Sequence, residues 1–171
     1  MLMPKRLESH LDKNQIAYAL ILHRPTFSAQ VAASLMHVPG KEVAKAVALR
    51  AGEKVLLAVL PASYRINFEK LSTIVGDRVQ LLEQGKCNEA FPDCETGAIS
   101  PFGELYGVPV YLDEALAEDV EIVLGTGTLS ESLRMGNADF VRLVKPNICS
   151  FAEKAWSAST LREAQAQGAR R

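Results

Sequence analysis

The stretch VAKAVALR–AGE–KVLLAVL, residues 43–60, constrains the fold more than any other part of the chain. Two apolar, partly β-branched runs flank the turn signal Ala51–Gly52–Glu53 and predict an antiparallel hairpin. In the first run, period-two alternation puts Val43, Lys45, Val47 and Leu49 on one face. Ala44, Ala46, Ala48 and Arg50 fall on the other. The face with the three large apolar residues is expected to meet the core. A lysine there opens into the mouth of a pocket or stays buried and paired, because an unpaired buried ammonium is costly. Desolvation would lower its pKa, whereas a neighbouring phosphate or carboxylate would favour the charged form. The plainer alternative is a lysine at the strand's start that snorkels to solvent.

Around this hairpin the chain alternates between short helical and extended signals. Residues 5–16 predict an amphipathic helix on Leu7 and Leu11, followed by a strand over 18–23 that Arg24–Pro25 stops. Ser28 is placed to cap a helix over AQVAASLM, and Asn67 another over FEKLSTIV, with Ile66 and Leu71 as its hydrophobic staple. Gly76–Asp77 closes that helix, and RVQLL predicts a strand. Residues 83–104 lose periodicity apart from one helical turn near Cys87 to Phe91. YGVPVYLD predicts a strand whose Pro109 favours an edge or bulge, and EIVLG, 121–125, predicts another. Thr128 and Glu131 then form a capping box on a helix over LSESLRM that Gly136 stops, before a strand over DFVRLV and a terminal helix from Ser150. The expectation is an α+β single domain with a curved mixed sheet and short helices packed outside.

The 171 residues suit one domain, and 48% hydrophobic with 23% charged residues excludes a disordered, collagen-like or coiled-coil chain. With 19 basic and 20 acidic residues the net charge is −1, which argues against wrapping long duplex but not against a local contact with a nucleic-acid end. Three cysteines are too few for a disulfide scaffold. The start MLMPKRLESHLDKN has no apolar signal-like region, and the strongest apolar run, Val55 to Pro61, is far too short to span a membrane. A cytoplasmic location without membrane partners is expected.

Two further motifs could carry chemistry. In GAISPFG, 97–103, Gly97 permits a strained turn and Pro101 fixes the far side. The N–H groups of Ala98, Ile99 and Ser100 between them could converge on an oxyanion. Ser100 as a nucleophile lacks the GxSxG context, and a rigid structural loop explains the same residues. GTGT, 125–128, follows a strand and precedes a capped helix start, an anion site or merely a tight connection. It lacks the GxxxxGK[ST] of a nucleotide-binding loop. His10, His23 and His37 show no metal spacing, and Cys87 and Cys94 make no zinc knuckle. No metal and no cofactor is expected. Asp113–Glu114 reads as solvated loop charge.

Lys45, the Gly97–Ala98–Ile99–Ser100–Pro101 run and the glycine turn 125–128, in this order, resemble the YbaK and prolyl-tRNA-synthetase-associated editing domain family. The run matches that family's GxxxP signature, and Lys45 sits where its essential lysine is expected. The resemblance implies an editing domain over residues 1–156, with 157–171 a C-terminal tail, helical or frayed. It implies hydrolysis of the ester of a mischarged aminoacyl-tRNA, with the tRNA acceptor end as partner and an aminoacyl-tRNA synthetase as a second. Lys45 would hold the terminal adenosine or its phosphate. N–H groups around Gly97 to Pro101 would bind the developing oxyanion, and water would attack without a side-chain nucleophile. The substrate pocket is expected among His23, Thr26, Phe27, Ser28, Met36, His37, Gly125, Thr126, Gly127, Thr128 and Leu129, leaning towards alanyl, seryl or threonyl esters. The alternatives are a module that binds a tRNA end or small ligand without hydrolysis, and a hydrolase of another small ester.

Overall fold

A computed structural model of the protein describes residues 2–155. Helix α1 (Lys5–Lys13) buries Leu7 and Leu11, and strand β1 (Tyr18–Leu22) follows. Helix α2 (Ala29–Leu35) starts at Ser28, whose hydroxyl accepts the Val31 N–H. Strands β2 (Ala44–Ala51) and β3 (Lys54–Pro61) form the hairpin, paired from Ala44↔Pro61 to Ala51↔Lys54. Next come β4 (Tyr64–Ile66), α3 (Phe68–Val75), β5 (Val79–Leu81) and α4 (Gln84–Ala90). Asn67 accepts the Lys70 N–H at the start of α3, and Gly76 ends that helix at φ +82°. A 3-10 turn (Gly103–Tyr106) precedes β6 (Val110–Asp113) and α5 (Glu114–Ala117). The described chain closes with β7 (Glu121–Gly125), β8 (Glu131–Gly136), α6 (Asn137–Val144), β9 (Asn147–Cys149) and β10 (Ala152–Lys154).

The strands form a mixed five-stranded sheet, β5-β2-β3-β6-β9, an antiparallel sheet β1-β8-β7 and a ribbon β10-β4. A parallel bridge, Val43↔Val123, joins the first two where the hairpin begins. Alternation along β3 feeds two cores: Leu57 and Val59 join Leu112, Leu133 and Phe140 on one side, while Leu56, Ala58 and Leu60 join Leu71 and Phe151 on the other. Both faces of β2 are therefore covered. Leu49 belongs to the second core, as expected, but Ala44 and Ala48 are also buried, against the first. Small alanines let that face pack closely, a role that residue size alone conceals.

Several expectations need correction. LSESLRM is not a helix: Glu131–Gly136 is strand β8, with Leu133 and Met135 facing the core and Arg134 exposed. DFVRLV is not a strand but lies in α6, whose Phe140 and Val144 are buried one turn apart. The apparent capping box fails because the Glu131 carboxylate accepts the Met3 N–H at 3.0 Å instead of reaching back to Thr128. Pro109 does not mark an edge, since β6 pairs with β3 on one side and β9 on the other. The proline stands before the strand, where it owes the ladder no N–H, and its carbonyl accepts from Leu57 at 2.9 Å.

Beyond Ser150, residues 152–154 are strand β10 rather than helix; the tail 157–171 lies outside the described residues. Asp113, expected in solvent, is 2% exposed. Its carboxylate accepts the Ala115, Phe151 and Ala152 N–H groups at 2.9, 2.9 and 2.7 Å, tying the C-terminal ribbon to the sheet.

One half-buried pair is expected to make stability pH-dependent. Glu104, in the 3-10 turn, lies 3.1 Å from His10 of α1, and both side chains are 23% exposed. Burial pushes the Glu104 carboxyl up to about 7. Burial, with Lys13 nearby, pushes the His10 imidazole down. A raised folded-state pKa contributes stability fully present below the ordinary value of 4.5 and lost as pH rises through about 7. Lowering at His10 acts oppositely, its contribution being lost as pH falls through the lowered value. Glu104→Gln is therefore expected to raise the thermal midpoint at pH 8 more than at pH 5. Equal shifts at the two pH values, read by thermal denaturation, would refute this.

Candidate active-site cleft

A cleft of about 490 Å³ lies where the start of β2, the loop before the 3-10 turn, the β7–β8 connection and the entry to α2 meet. Pockets for small ligands commonly measure about 300–1,000 Å³. Lys45, Gly97, Ala98, Ile99 and Pro101 line it together, although β2 and the loop are some fifty residues apart in sequence. His23, Thr26, Phe27 and Ser28 form one rim, and Gly125, Thr128 and Leu129 continue it as the adjoining wall, joined through the Thr26 N–H on the Leu129 carbonyl at 3.0 Å.

Lys45 is half-buried, and its Nζ donates to the Tyr64 carbonyl at 2.6 Å. No carboxylate among the described residues pairs with it. Burial alone pushes its pKa below the ordinary lysine value. The ammonium thus has donor capacity to spare in a poorly solvated place, suited to an anionic or strongly polar ligand.

In the loop, Gly97 has φ +85°, and a Cβ there would lie 2.7 Å from Cδ1 of Phe27. Glycine lets the Phe27 ring, 75% exposed, rest directly on the loop backbone. The donors that the sequence offers are not all available. The Ala98 N–H is bonded to the Glu95 carbonyl at 2.9 Å. The Ser100 N–H is engaged by the Cys94 sulfur. Pro101 has none. Only the Gly97 and Ile99 N–H groups have no acceptor among the described residues, so the candidate oxyanion donors narrow to these two.

Several expected residues do not line the cleft. Ser100 is 1% exposed, its hydroxyl buried without a partner, which removes it as a nucleophile. Thr126, fully buried, donates to the Glu131 carbonyl, and Gly127 packs against the Cys94 sulfur; both lie behind the wall. Met36 turns into a small core with Ile21, Ala33 and Val38. His37 is exposed at φ +55° beyond the end of α2.

Two residues at the site escape sequence reasoning. Ser132 lines the cleft at 5% exposure, its Oγ 3.1 Å from Nε2 of His23. His23 Nδ1 lies 2.9 Å from the Arg24 carbonyl, so in the neutral ring Nδ1 carries the hydrogen and Nε2 accepts from Ser132. A helical reading of LSESLRM hides Ser132, because only the strand register Gly125↔Ser132 turns it inward. Glu95, two residues before Gly97, accepts the Leu129 N–H at 2.6 Å through Oε2. Its only sequence signal is a carboxylate beside the glycine. Behind the loop, burial pushes the Cys94 thiol up while Tyr106 and the Ser100 N–H hydrogen-bond it. Tyr106 Oη donates to Asp93 at 2.5 Å, and Arg6 of α1 lies over its ring. No group of three or more His, Cys, Asp or Glu side chains among the described residues is arranged to hold a metal ion. None of the described helices is long and apolar enough to cross a membrane.

A mixed α/β domain with a lysine and an N–H-bearing glycine loop facing one another defines a class of small polar-ligand cleft. Sequence and structure comparisons specify the family. A family model described as the aminoacyl-tRNA editing domain matches residues 23–143, and the chain belongs to that family. It is 28% identical over 102 residues to the multifunctional Ser/Thr-tRNA deacylase ProXp-y of Escherichia coli K12, and equally to that of Escherichia coli O157:H7. The match takes in 58% of this chain, which spans about 60% of the length of these curated relatives. Among solved structures, a proposed trans-editing enzyme for prolyl-tRNA synthetase superposes with TM-score 0.78 at 19% identity, over 90% of this chain and 99% of that one. A hypothetical protein superposes with TM-score 0.78 at 19% identity, over 86% of this chain and 99% of that one. These likenesses establish the fold.

Proposed function

We propose that the protein is an aminoacyl-tRNA deacylase that hydrolyses the ester joining a small, wrongly attached amino acid to the 3′-terminal adenosine of a tRNA. One observation carries this reading: the Lys45 ammonium, which meets no carboxylate among the described residues, and the loop N–H groups of Gly97 and Ile99, which meet no acceptor among them, belong to the same cleft. Lys45 holds the terminal adenosine or its phosphate. The two N–H groups receive the carbonyl oxygen as water attacks and the carbon becomes tetrahedral. The ester C–O bond then breaks, and the ribose oxygen leaves as a hydroxyl once protonated. Aminoacyl esters are labile, so orientation and oxyanion stabilisation suffice without a covalent intermediate. The substrate's own ribose hydroxyl is available to help position the water.

Selectivity follows from the wall. A pocket that tells side chains apart by one methylene gains only about 1–3 kcal/mol, whereas a polar partner left unpaired rejects an analogue more strongly. The His23–Ser132 pair, with Thr26 and Thr128 nearby, offers such partners to a substrate hydroxyl, which favours seryl or threonyl esters, with alanyl admitted on size alone. The similarity to a protein named as a Ser/Thr-tRNA deacylase supports the seryl and threonyl esters of this set. The protein acts in trans on the tRNA acceptor end, alongside an aminoacyl-tRNA synthetase.

The test is a panel of alanyl-, seryl-, threonyl-, cysteinyl- and prolyl-tRNAs. Hydrolysis of one or more of the first three at least about tenfold above buffer is expected, with prolyl-tRNA spared. A flat panel combined with retained binding of the acceptor end would leave the non-catalytic binding module as the correct reading.

A further inference from the structure

The loop that carries the Gly97 and Ile99 donors is not held by its own hydrogen bonds alone. Its hydrogen bonds to the neighbouring β7–β8 wall run through one residue. Glu95 donates its N–H to the Gly127 carbonyl at 2.8 Å and accepts the Ala98 N–H on its own carbonyl at 2.9 Å. Its Oε2 takes the Leu129 N–H at 2.6 Å. Leu129 in turn accepts the Thr26 N–H at 3.0 Å on its carbonyl. Thr26 Oγ1 accepts the Ser28 N–H at 3.1 Å, at the cap of α2. Three segments that meet around the cleft but are distant in sequence are thus linked through a carboxylate that does not itself line the cleft.

We propose that Glu95 is a positioning residue: its carboxylate tethers the oxyanion loop to the β7–β8 wall and sets the register between the loop N–H groups and the bound ester. The catalytic half of this inference rests on the deacylase reading; the tether itself does not. A hydrogen bond from a backbone N–H to an ionised acceptor is among the stronger kinds, and removing the carboxylate leaves the part-buried Leu129 N–H without a partner. The loop would then sample positions away from the wall. Small misplacements of this kind are felt in turnover rather than in binding, because the donors matter most when the carbonyl oxygen carries charge.

The experiment compares Glu95→Ala and Glu95→Gln with the unmodified protein in deacylation kinetics and in amide hydrogen exchange of the free protein. For Glu95→Ala, kcat is expected to fall by about 10²-fold with KM changed less than about threefold. Exchange at the Leu129 amide should rise by about tenfold. Glu95→Gln, whose amide oxygen still accepts the Leu129 N–H, should stay within about threefold of the unmodified protein in both readouts. If Glu95→Ala does not fold, Glu95→Asp, one methylene shorter, carries the same expectation. An alanine variant with unaltered kcat would overturn the proposal. So would a glutamine variant as slow as alanine, which would mean that charge rather than the tether matters. Unchanged exchange at Leu129 would overturn the tether directly. If the unmodified protein hydrolyses none of the esters, the deacylase reading fails, while the exchange arm still decides whether Glu95 holds the wall.

Discussion

Lys45→Met should lower kcat/KM for the hydrolysed ester by about 10²–10³-fold, comparable to removing a preorganised donor from other charge-stabilising sites. Methionine keeps the approximate length and apolar stem of the lysine and deletes the ammonium, whose one hydrogen bond among the described residues is to the Tyr64 carbonyl. The fold should not suffer. Burial pushes the Lys45 pKa down, so the folded state holds this proton less tightly than the unfolded chain does. A depressed folded-state pKa contributes stability above the ordinary value of 10.5 and loses it as pH falls through the depressed one. At neutral pH the desolvated charge is therefore a cost, and the thermal midpoint of Lys45→Met should be unchanged or higher. On the deacylase reading, the same shift predicts an alkaline limb for the unmodified protein: deacylation that depends on the cation should fade at a pKa below 10.5, over and above spontaneous ester hydrolysis. A methionine variant with full activity would remove Lys45 from the site. A variant that loses activity only because it unfolds would assign Lys45 to the fold instead.

The conflict between charge and poor solvation at Lys45 is also what makes the residue legible in the sequence. A lysine within a strand whose other positions are Val, Ala and Leu breaks a local rule, and such breaks concentrate where function demands them. The hairpin is legible for the complementary reason, that every local signal agrees: alternation, branched residues and a turn between them. Ser28 and Asn67 are recognisable as caps because their hydroxyl and amide oxygens do the capping within three residues of themselves.

Between 128 and 144 the local signals mislead. Thr128 and Glu131 have capping-box spacing, but Glu131 is committed to the N–H of Met3, a partner 128 residues away. No local rule can see that. A helix there overrides the alternation of Leu133 and Met135 and takes from Ser132 its inward direction. The loop 94–101 shows the same limit differently. Its glycine and proline mark it, but which N–H groups stay free depends on where the Glu95 carbonyl and the Cys94 sulfur fall, and that is set by the folded loop.

Gly103→Ala separates the two tasks within GAISPFG and should have the largest effect on stability. Gly97 is a glycine because its backbone is left-handed and Phe27 rests on it, at an exposed surface where a ring can swing aside. Gly103 has no unusual φ, yet a Cβ there would sit 2.5 Å from the Val108 carbonyl oxygen and 2.6 Å from Cγ2 of Val110, with Cδ1 of Leu57 at 3.3 Å. Backbone oxygen cannot rotate away. Gly103 is also pinned from both sides, its N–H on the Pro101 carbonyl at 3.0 Å and its carbonyl taking the Val108 N–H at 2.9 Å. Beside it, Phe102 is fully buried and meets Phe140 of α6 edge-on at 5.5 Å. An added methyl must therefore push apart the turn, the start of β6 and the main core together, an overpacking cost of about 3 kcal/mol. For a domain of this size that corresponds to a thermal midpoint lower by about 10 °C. Gly107→Ala is the matched control. Its φ is +67° and nothing lies within 4 Å of the added methyl, so only backbone strain of about 1–2 kcal/mol is at stake. If the two variants melt together, within error, close packing at Gly103 is not what holds the loop. If Gly103→Ala melts well below Gly107→Ala, the end of the motif serves the core, which leaves Gly97 and Ile99 as the run's candidate donors.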